Sequence, residues 1–203
     1  KLLQDSRGGS KYMWQLKAGS KIKISRPSNN FGLSLKAPEY LLVAGGIGIT
    51  PMIGMAQTLV AKKANIKMVY VGQIKKDMPY INELTSLLGN KLIIHADEEN
   101  KGFYDFNTLI SGLTKGTQLY LCGPLGLMNV IRQTWAHKLP AADLRFETFG
   151  ASGRFAPQTF KVSIPRLKME LTVEKNQSML DVLNKAGADI MYDCVKGECG
   201  LCT

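Results

Sequence analysis

The chain has 203 residues, 45% of them hydrophobic and 21% charged, with a formal net charge of +10. That is a globular composition with room for one large domain or two smaller ones, and no run approaches the roughly 18 uninterrupted apolar residues of a membrane helix. The opening KLLQDSRGGS lacks the apolar stretch of a secretion signal, so a soluble, cytoplasmic protein is expected.

The excess charge sits at the start. Residues 1–35 hold seven Lys and Arg against one acid, residues 36–150 twelve against nine, and residues 151–203 seven against six. No basic run is interleaved with aromatics, which argues against a nucleic-acid interface, and phosphate-bearing cofactors attract the same charge. The chain begins without Met and ends on GECGLCT, so both ends read as cut.

In chain order, the first candidate is Arg7-Gly8-Gly9-Ser10, where a cation, two flexible residues and a hydroxyl make a phosphate-binding turn. KYMWQL, the turn signal AGS and KIKISRP follow, and the alternation of Lys and Ile in the last suits a half-exposed strand. These read as closing elements of a domain that begins upstream. From Tyr40 the pattern changes to short apolar runs separated by helix-like stretches: YLLVAGG, MIGMAQTLVAKKA, IKMVYVG, KLIIHAD, TQLYLCGP and LMNVIRQTWAHKL. Strands rich in Val, Ile and Leu alternating with helices predict an α/β fold with a doubly wound parallel sheet.

Within that stretch, Gly45-Gly46-Ile47-Gly48-Ile49-Thr50-Pro51 stands between a strand and a helix. Glycines there permit a tight turn and close backbone approach, and the helix start offers N–H groups to a pyrophosphate; the alternative is a purely structural turn. Cys122-Gly123-Pro124 repeats the arrangement at the end of LYLCGP. In an open parallel sheet the ligand crevice lies beyond the carboxyl ends of the strands, so the two turns can face one site. Cys122 then lies either beside a nicotinamide ring or in the core as a small hydrophobe. The segment RFETFG, 145–150, ends this domain, and an aromatic there either covers a flavin ring or fills core.

FGASGRFAPQ reads as an interdomain linker. Beyond it FKVSIPRLKMELTV predicts a two-stranded hairpin, and SMLDVLNKAGAD an amphipathic helix with Ser178 as N-cap and Gly187 as its stop. Three of the four cysteines then fall within nine residues as Cys194-x4-Cys199-x2-Cys202, with Gly197 and Gly200 between them. This is the spacing of a plant-type 2Fe-2S loop, in which thiolates surround an iron pair and small residues let backbone N–H groups approach the sulfurs. The competing zinc reading expects two short pairs instead. A cluster needs four thiolates; Cys122, at a strand end in the preceding domain, is a poor fourth, which places the expected ligand after Thr203.

Taken in order, RGGS, GGIGITPM, LYLCGPLGLM, FETFG and CVKGECGLC resemble the class IA oxygenase reductases, the group of phthalate dioxygenase reductase, vanillate demethylase reductase and the carnitine monooxygenase reductases. The resemblance spans nearly the whole chain. It implies the end of a flavin-binding β-barrel over residues 1–35, an NAD(P)-binding domain over 36–150 and a truncated 2Fe-2S ferredoxin-type domain over 151–203. It further implies FMN rather than FAD, NADH as hydride donor, and a Rieske-type oxygenase as electron acceptor, with neither nucleic acid nor membrane as partner. By position, Arg7, Gly8, Gly9 and Ser10 are implied to contact the flavin phosphate. Gly45, Gly46, Ile47, Gly48, Thr50 and Pro51 are implied to hold the dinucleotide, Cys122, Gly123 and Pro124 to line the nicotinamide region, and Phe149 to meet the flavin ring. Cys122 and Phe149 are thus the candidate catalytic residues, and Cys194, Cys199 and Cys202 the metal ligands.

Two departures stand out. The family's Arg-x-Tyr-Ser flavin strand is not in this sequence. Lys75 and Lys76 stand where the family carries an Arg- or Ser-bearing turn near the adenosine ribose, and two lysines favour a 2'-phosphate, so NADPH stays open as donor. Two other functions compete: a ferredoxin-like electron carrier on a non-catalytic nucleotide-binding scaffold, and a reductase serving a different acceptor, such as a haem protein.

Overall fold

The computed structural model describes residues 9–24, 26–27, 29–149, 158–188 and 190–192, and its contacts divide the chain into two compact units, residues 1–30 and 31–203. In the first, helix α1 (Gly9–Gln15) leads into the turn Lys17-Ala18-Gly19-Ser20, closed by Ser20 N–H donating to Lys17 O at 2.9 Å. Gly19 holds φ 89°, as its place in such a turn requires. The strand expected over KIKISRP is not formed at residues 21–24, where Ile22 is 46% and Ile24 77% exposed. A strand needs a neighbour for its ladder hydrogen bonds and a core for every second side chain, and the described residues 9–30 contain no other strand.

The second unit is built on a five-stranded parallel sheet of β1 (Tyr40–Gly45), β2 (Ile66–Gly72), β3 (Leu92–Ala96), β4 (Gln118–Cys122) and β5 (Leu144–Glu147), in the order β3-β2-β1-β4-β5. Between the strands come α2 (Ile49–Ala61), α3 (Ile81–Leu88), the single turn α4 (Asp97–Asn100), α5 (Phe106–Ser111) and α6 (Leu125–Ala136). β1 is buried along its whole length, which is why YLLVAG shows no polar alternation. Its even-numbered residues Leu42 and Ala44 join Met52 and Leu59 of α2 and Leu84 and Leu88 of α3 in one core. Leu41 and Val43 face Phe106 and Ile110 of α5 and Ile131 and Trp135 of α6 in the other. Phe31 and Leu33 pack on the α2 side, where Tyr120 Oη accepts from Ser34 N–H at 2.8 Å.

The chain leaves β1 toward β2 and β3 on one side and returns through β4 and β5 on the other. The strand order therefore reverses between β1 and β4, and that is where an open α/β sheet forms its ligand crevice.

After the sheet, β6 (Phe160–Ile164) and β7 (Met169–Val173) pair antiparallel around a 3-10 turn at Pro165–Leu167, as the hairpin reading expects. Helix α7 (Met179–Lys185) follows. Ser178 Oγ accepts from Asp181 N–H at 3.0 Å, and Gly187 takes φ 81° at the far end, so both expected caps are realised.

Candidate functional site: two glycine turns at the strand crossover

β1 ends at Gly45 and passes through a 3-10 turn, Gly46–Gly48, directly into α2. β4 ends at Cys122 and enters α6 through Gly123 and Pro124. The strands pair with Ala44 level with Cys122, so the two turns leave the sheet side by side. Their separation admits no side chain. A Cβ added to Gly48 would lie 2.1 Å from Cys122 O and 2.4 Å from its carbonyl carbon, and one added to Gly123 would lie 3.0 Å from Gly45 Cα and N. A Cβ on Gly45 would meet Pro124 Cδ at 2.6 Å and Leu127 Cδ2 at 2.7 Å. Three glycines are thus required by packing between the turns, which brings helices α2 and α6 to one place at the sheet's carboxyl edge.

Gly46 does something different. It holds φ 53°, and a Cβ there would have nothing within 4 Å, so its surface is open. Its carbonyl accepts from the Tyr70 hydroxyl at 3.3 Å and from Ile49 N–H. Tyr70 is fully buried in the middle of the sheet. Because C=O and N–H of a trans peptide point in opposite directions, a carbonyl pinned inward turns the N–H of Ile47 outward. Ile47 is 57% exposed, Thr50 Oγ1 closes the turn on Ile47 O at 3.0 Å, and Pro51 falls in the first turn of α2, where a missing N–H costs little. Neither α2 nor α6 has a side-chain cap. The crevice therefore presents backbone N–H groups and two helix starts, an arrangement that suits a pyrophosphate.

Burial pushes the Tyr70 phenol up to about 12, so it stays a neutral donor to Gly46 through the whole physiological range. Sequence reasoning passed over Tyr70, since a Tyr inside IKMVYVG reads as ordinary strand; a phenol amid aliphatic neighbours was the available signal.

The remaining candidates distribute as follows. Cys122 is 1% exposed and its side chain joins the core on the α2 side, so it meets the crevice through its carbonyl against Gly48. Phe149 is 51% exposed, too open to be a core residue, and follows β5 two residues after Glu147, which pairs with Cys122. It sits at the same sheet edge. Lys75 and Lys76 form an exposed 3-10 turn at the corresponding end of β2. Gly9 and Ser10 open α1 in the first unit. Arg7, Gly8, Cys194, Cys199 and Cys202, with most of the linker, lie outside the described residues. A separate groove of about 460 Å³ runs along α6 and β5, lined by Asn129, Arg132, Trp135, Leu144 and Phe146, with the Arg132 guanidinium 4.6 Å from the Phe146 ring centre. It contains none of the glycine-turn residues.

Among the described residues no helix is long and apolar enough to cross a membrane. The chain is 33% identical to phthalate dioxygenase reductase of Burkholderia cepacia and 34% identical to the heme-dependent oxidative N-demethylase beta subunit of Ectopseudomonas mendocina, covering 98% and 97% of the chain. It spans 63% of the length of each. Among solved structures it superposes on a phthalate dioxygenase reductase, described as a modular structure for electron transfer from pyridine nucleotides to 2Fe-2S, with a TM-score of 0.75 and 30% identity over 98% of this chain and 64% of that one. A type IV self-sufficient cytochrome P450 monooxygenase gives the same TM-score and identity over 98% of this chain and 26% of its own. The resemblance read from the motifs and the α/β architecture are both borne out. Residues 163–203 match the 2Fe-2S iron-sulfur cluster binding domain and residues 21–142 match the family described as dimethylamine monooxygenase subunit DmmA-like, N-terminal domain, so the chain belongs to that family, within the phthalate dioxygenase reductase type.

Proposed function

We propose that this chain carries the nicotinamide-dinucleotide and iron-sulfur portions of an oxidoreductase that passes electrons from a reduced nicotinamide through flavin to a 2Fe-2S cluster, and on to a partner oxygenase. The observation that carries the reading is the pair of glycine turns held backbone to backbone at the β1–β4 reversal, with an open, outward-facing peptide at Gly46–Ile47. A dinucleotide fits this cradle, because its phosphates need N–H donors at a surface free of side chains.

In this reading Gly46, Ile47, Gly48 and Thr50 hold the dinucleotide, with Gly45 and Pro51 shaping the turn. Gly123 and Pro124 fix the approach of α6, and Cys122 and Phe149 flank the nicotinamide end. Arg7, Gly8, Gly9 and Ser10 serve the flavin phosphate. The donor set Cys194, Cys199 and Cys202 has the spacing of a 2Fe-2S loop, and thiolates are the ligands such a cluster takes. Flavin, when bound, supplies the conversion of a two-electron hydride donor into single electrons. The chain's own residues bind, orient and shield. The functional division is residues 1–35 for the end of the flavin barrel, 36–150 for the dinucleotide and 151–203 for the cluster, and the expected location is the cytoplasm, where reduced nicotinamide is available.

A Rieske-type oxygenase is the acceptor the motif resemblance implies. The N-demethylase relative and the P450-fused structure favour a second reading, in which the acceptor is a haem protein. The complete, flavin-loaded protein is expected to reduce ferricyanide or cytochrome c with NADH or NADPH. Absence of that activity with both donors defeats the enzyme reading, and turnover with purified Rieske or haem partners decides between the acceptors.

A further inference from the structure

Lys75 and Lys76 form a rigid basic turn beside the dinucleotide crevice. They lie in the 3-10 turn Lys75–Asp77, immediately beyond the carboxyl end of β2. β2 pairs with β1 in parallel, Gly45 level with Val71, so this turn and the glycine turn project from adjacent strands on the same edge. The turn is built into the fold. Asp77 N–H donates to Ile74 O and Met78 N–H to Lys75 O, each at 3.1 Å, while Glu98 N–H donates to Gln73 O at 3.1 Å. Met78, 7% exposed, lies directly on Gly72, where an added Cβ would fall 2.6 Å from Met78 Cγ.

The end of the strand beside the glycine turn is where doubly wound folds read the adenosine ribose: an acid there hydrogen-bonds the 2'-hydroxyl and excludes a phosphate, and a cation there accepts one. In this chain the positions running off β2 are Gln73, Ile74, Lys75 and Lys76, with no carboxylate among them. Asp77 closes the turn. The other acids nearby, Asp97, Glu98 and Glu99, belong to α4 beyond β3, on the side of β2 away from β1, and Asp97 is turned to His95 at 3.4 Å.

We infer that Lys75 and Lys76 recognise a 2'-phosphate on the adenosine ribose, so that the site takes the phosphorylated dinucleotide, NADPH, in preference to NADH. This departs from the NADH donor that the motif resemblance implies, and it rests on the dinucleotide reading of the crevice.

The experiment measures dissociation constants of adenosine 2',5'-bisphosphate and adenosine 5'-monophosphate for the complete protein at low ionic strength. These ligands differ only in the 2'-phosphate. The wild type is expected to bind the bisphosphate about tenfold more tightly, the scale of a charge-assisted contact. The double variant Lys75→Gln/Lys76→Gln should bring the ratio to about one, and Lys75→Arg/Lys76→Arg should keep most of it. Equal affinities in the wild type, or a preference that survives the Gln substitutions, overturn the inference while leaving the dinucleotide site intact. If neither ligand binds, the dinucleotide reading fails and this inference with it.

Discussion

Gly46 and Gly48 stand two residues apart in one turn for unrelated reasons, and substitution separates them. Gly46 has an open surface but a left-handed backbone, so Gly46→Ala meets only the penalty of that conformation, about 1 kcal/mol. Gly48 has an ordinary helical backbone, φ −61°, yet a Cβ there would overlap the Cys122 carbonyl. Gly48→Ala should therefore cost about 3 kcal/mol or more, because backbone and not a flexible side chain must give way. Denaturant unfolding of the two variants checks the order, and equal losses would show that the turns can part. Tyr70→Phe removes the hydroxyl that holds the Gly46 carbonyl, at about 1 kcal/mol near neutral pH. The wild-type phenol stays protonated in the folded state up to about 12, whereas the unfolded chain ionises near 10. Its contribution is complete below pH 10 and is lost between 10 and 12, amounting to about 2 to 3 kcal/mol. Unfolding free energies measured across that window should converge and then cross for the two proteins; a constant difference would mean that Tyr70 titrates normally.

Elements that stabilise themselves locally were the legible ones. α7 carries its start and stop in Ser178 and Gly187, and Ser178→Ala should cost about 1 kcal/mol of helix stability, read as faster amide exchange at Asp181. The apolar runs of β1, β2 and β4 marked a two-sided parallel sheet without any knowledge of their neighbours. KIKISRP misled because Lys-Ile alternation describes a strand only when another strand lies beside it, and residues 21–24 have Ile22 and Ile24 exposed instead. The two glycine turns could be placed at one edge from strand-and-helix order alone. That they touch through Gly48 and Cys122 O could not, since the contact joins residues 74 positions apart and depends on the β1–β4 register. The same holds for Tyr70 and Gly46, brought together by the pairing of β2 with β1.

At the scale of the whole molecule, the second unit offers two places for a ligand: the glycine-turn crevice at the β1–β4 reversal and the groove along α6 and β5. The crevice has open backbone and uncapped helix starts; the groove has Trp135, Leu144 and Phe146, with Arg132 already engaged on the Phe146 ring. Phosphate chemistry selects the first. The most direct measurement is amide hydrogen exchange of the complete protein with and without saturating oxidised nicotinamide dinucleotide. The account expects added protection concentrated at Gly46–Thr50 and at Gly123–Leu125, with the amides of Asn129 to Ala136 unchanged. Protection confined to the α6–β5 groove, or none in either turn, would contradict it.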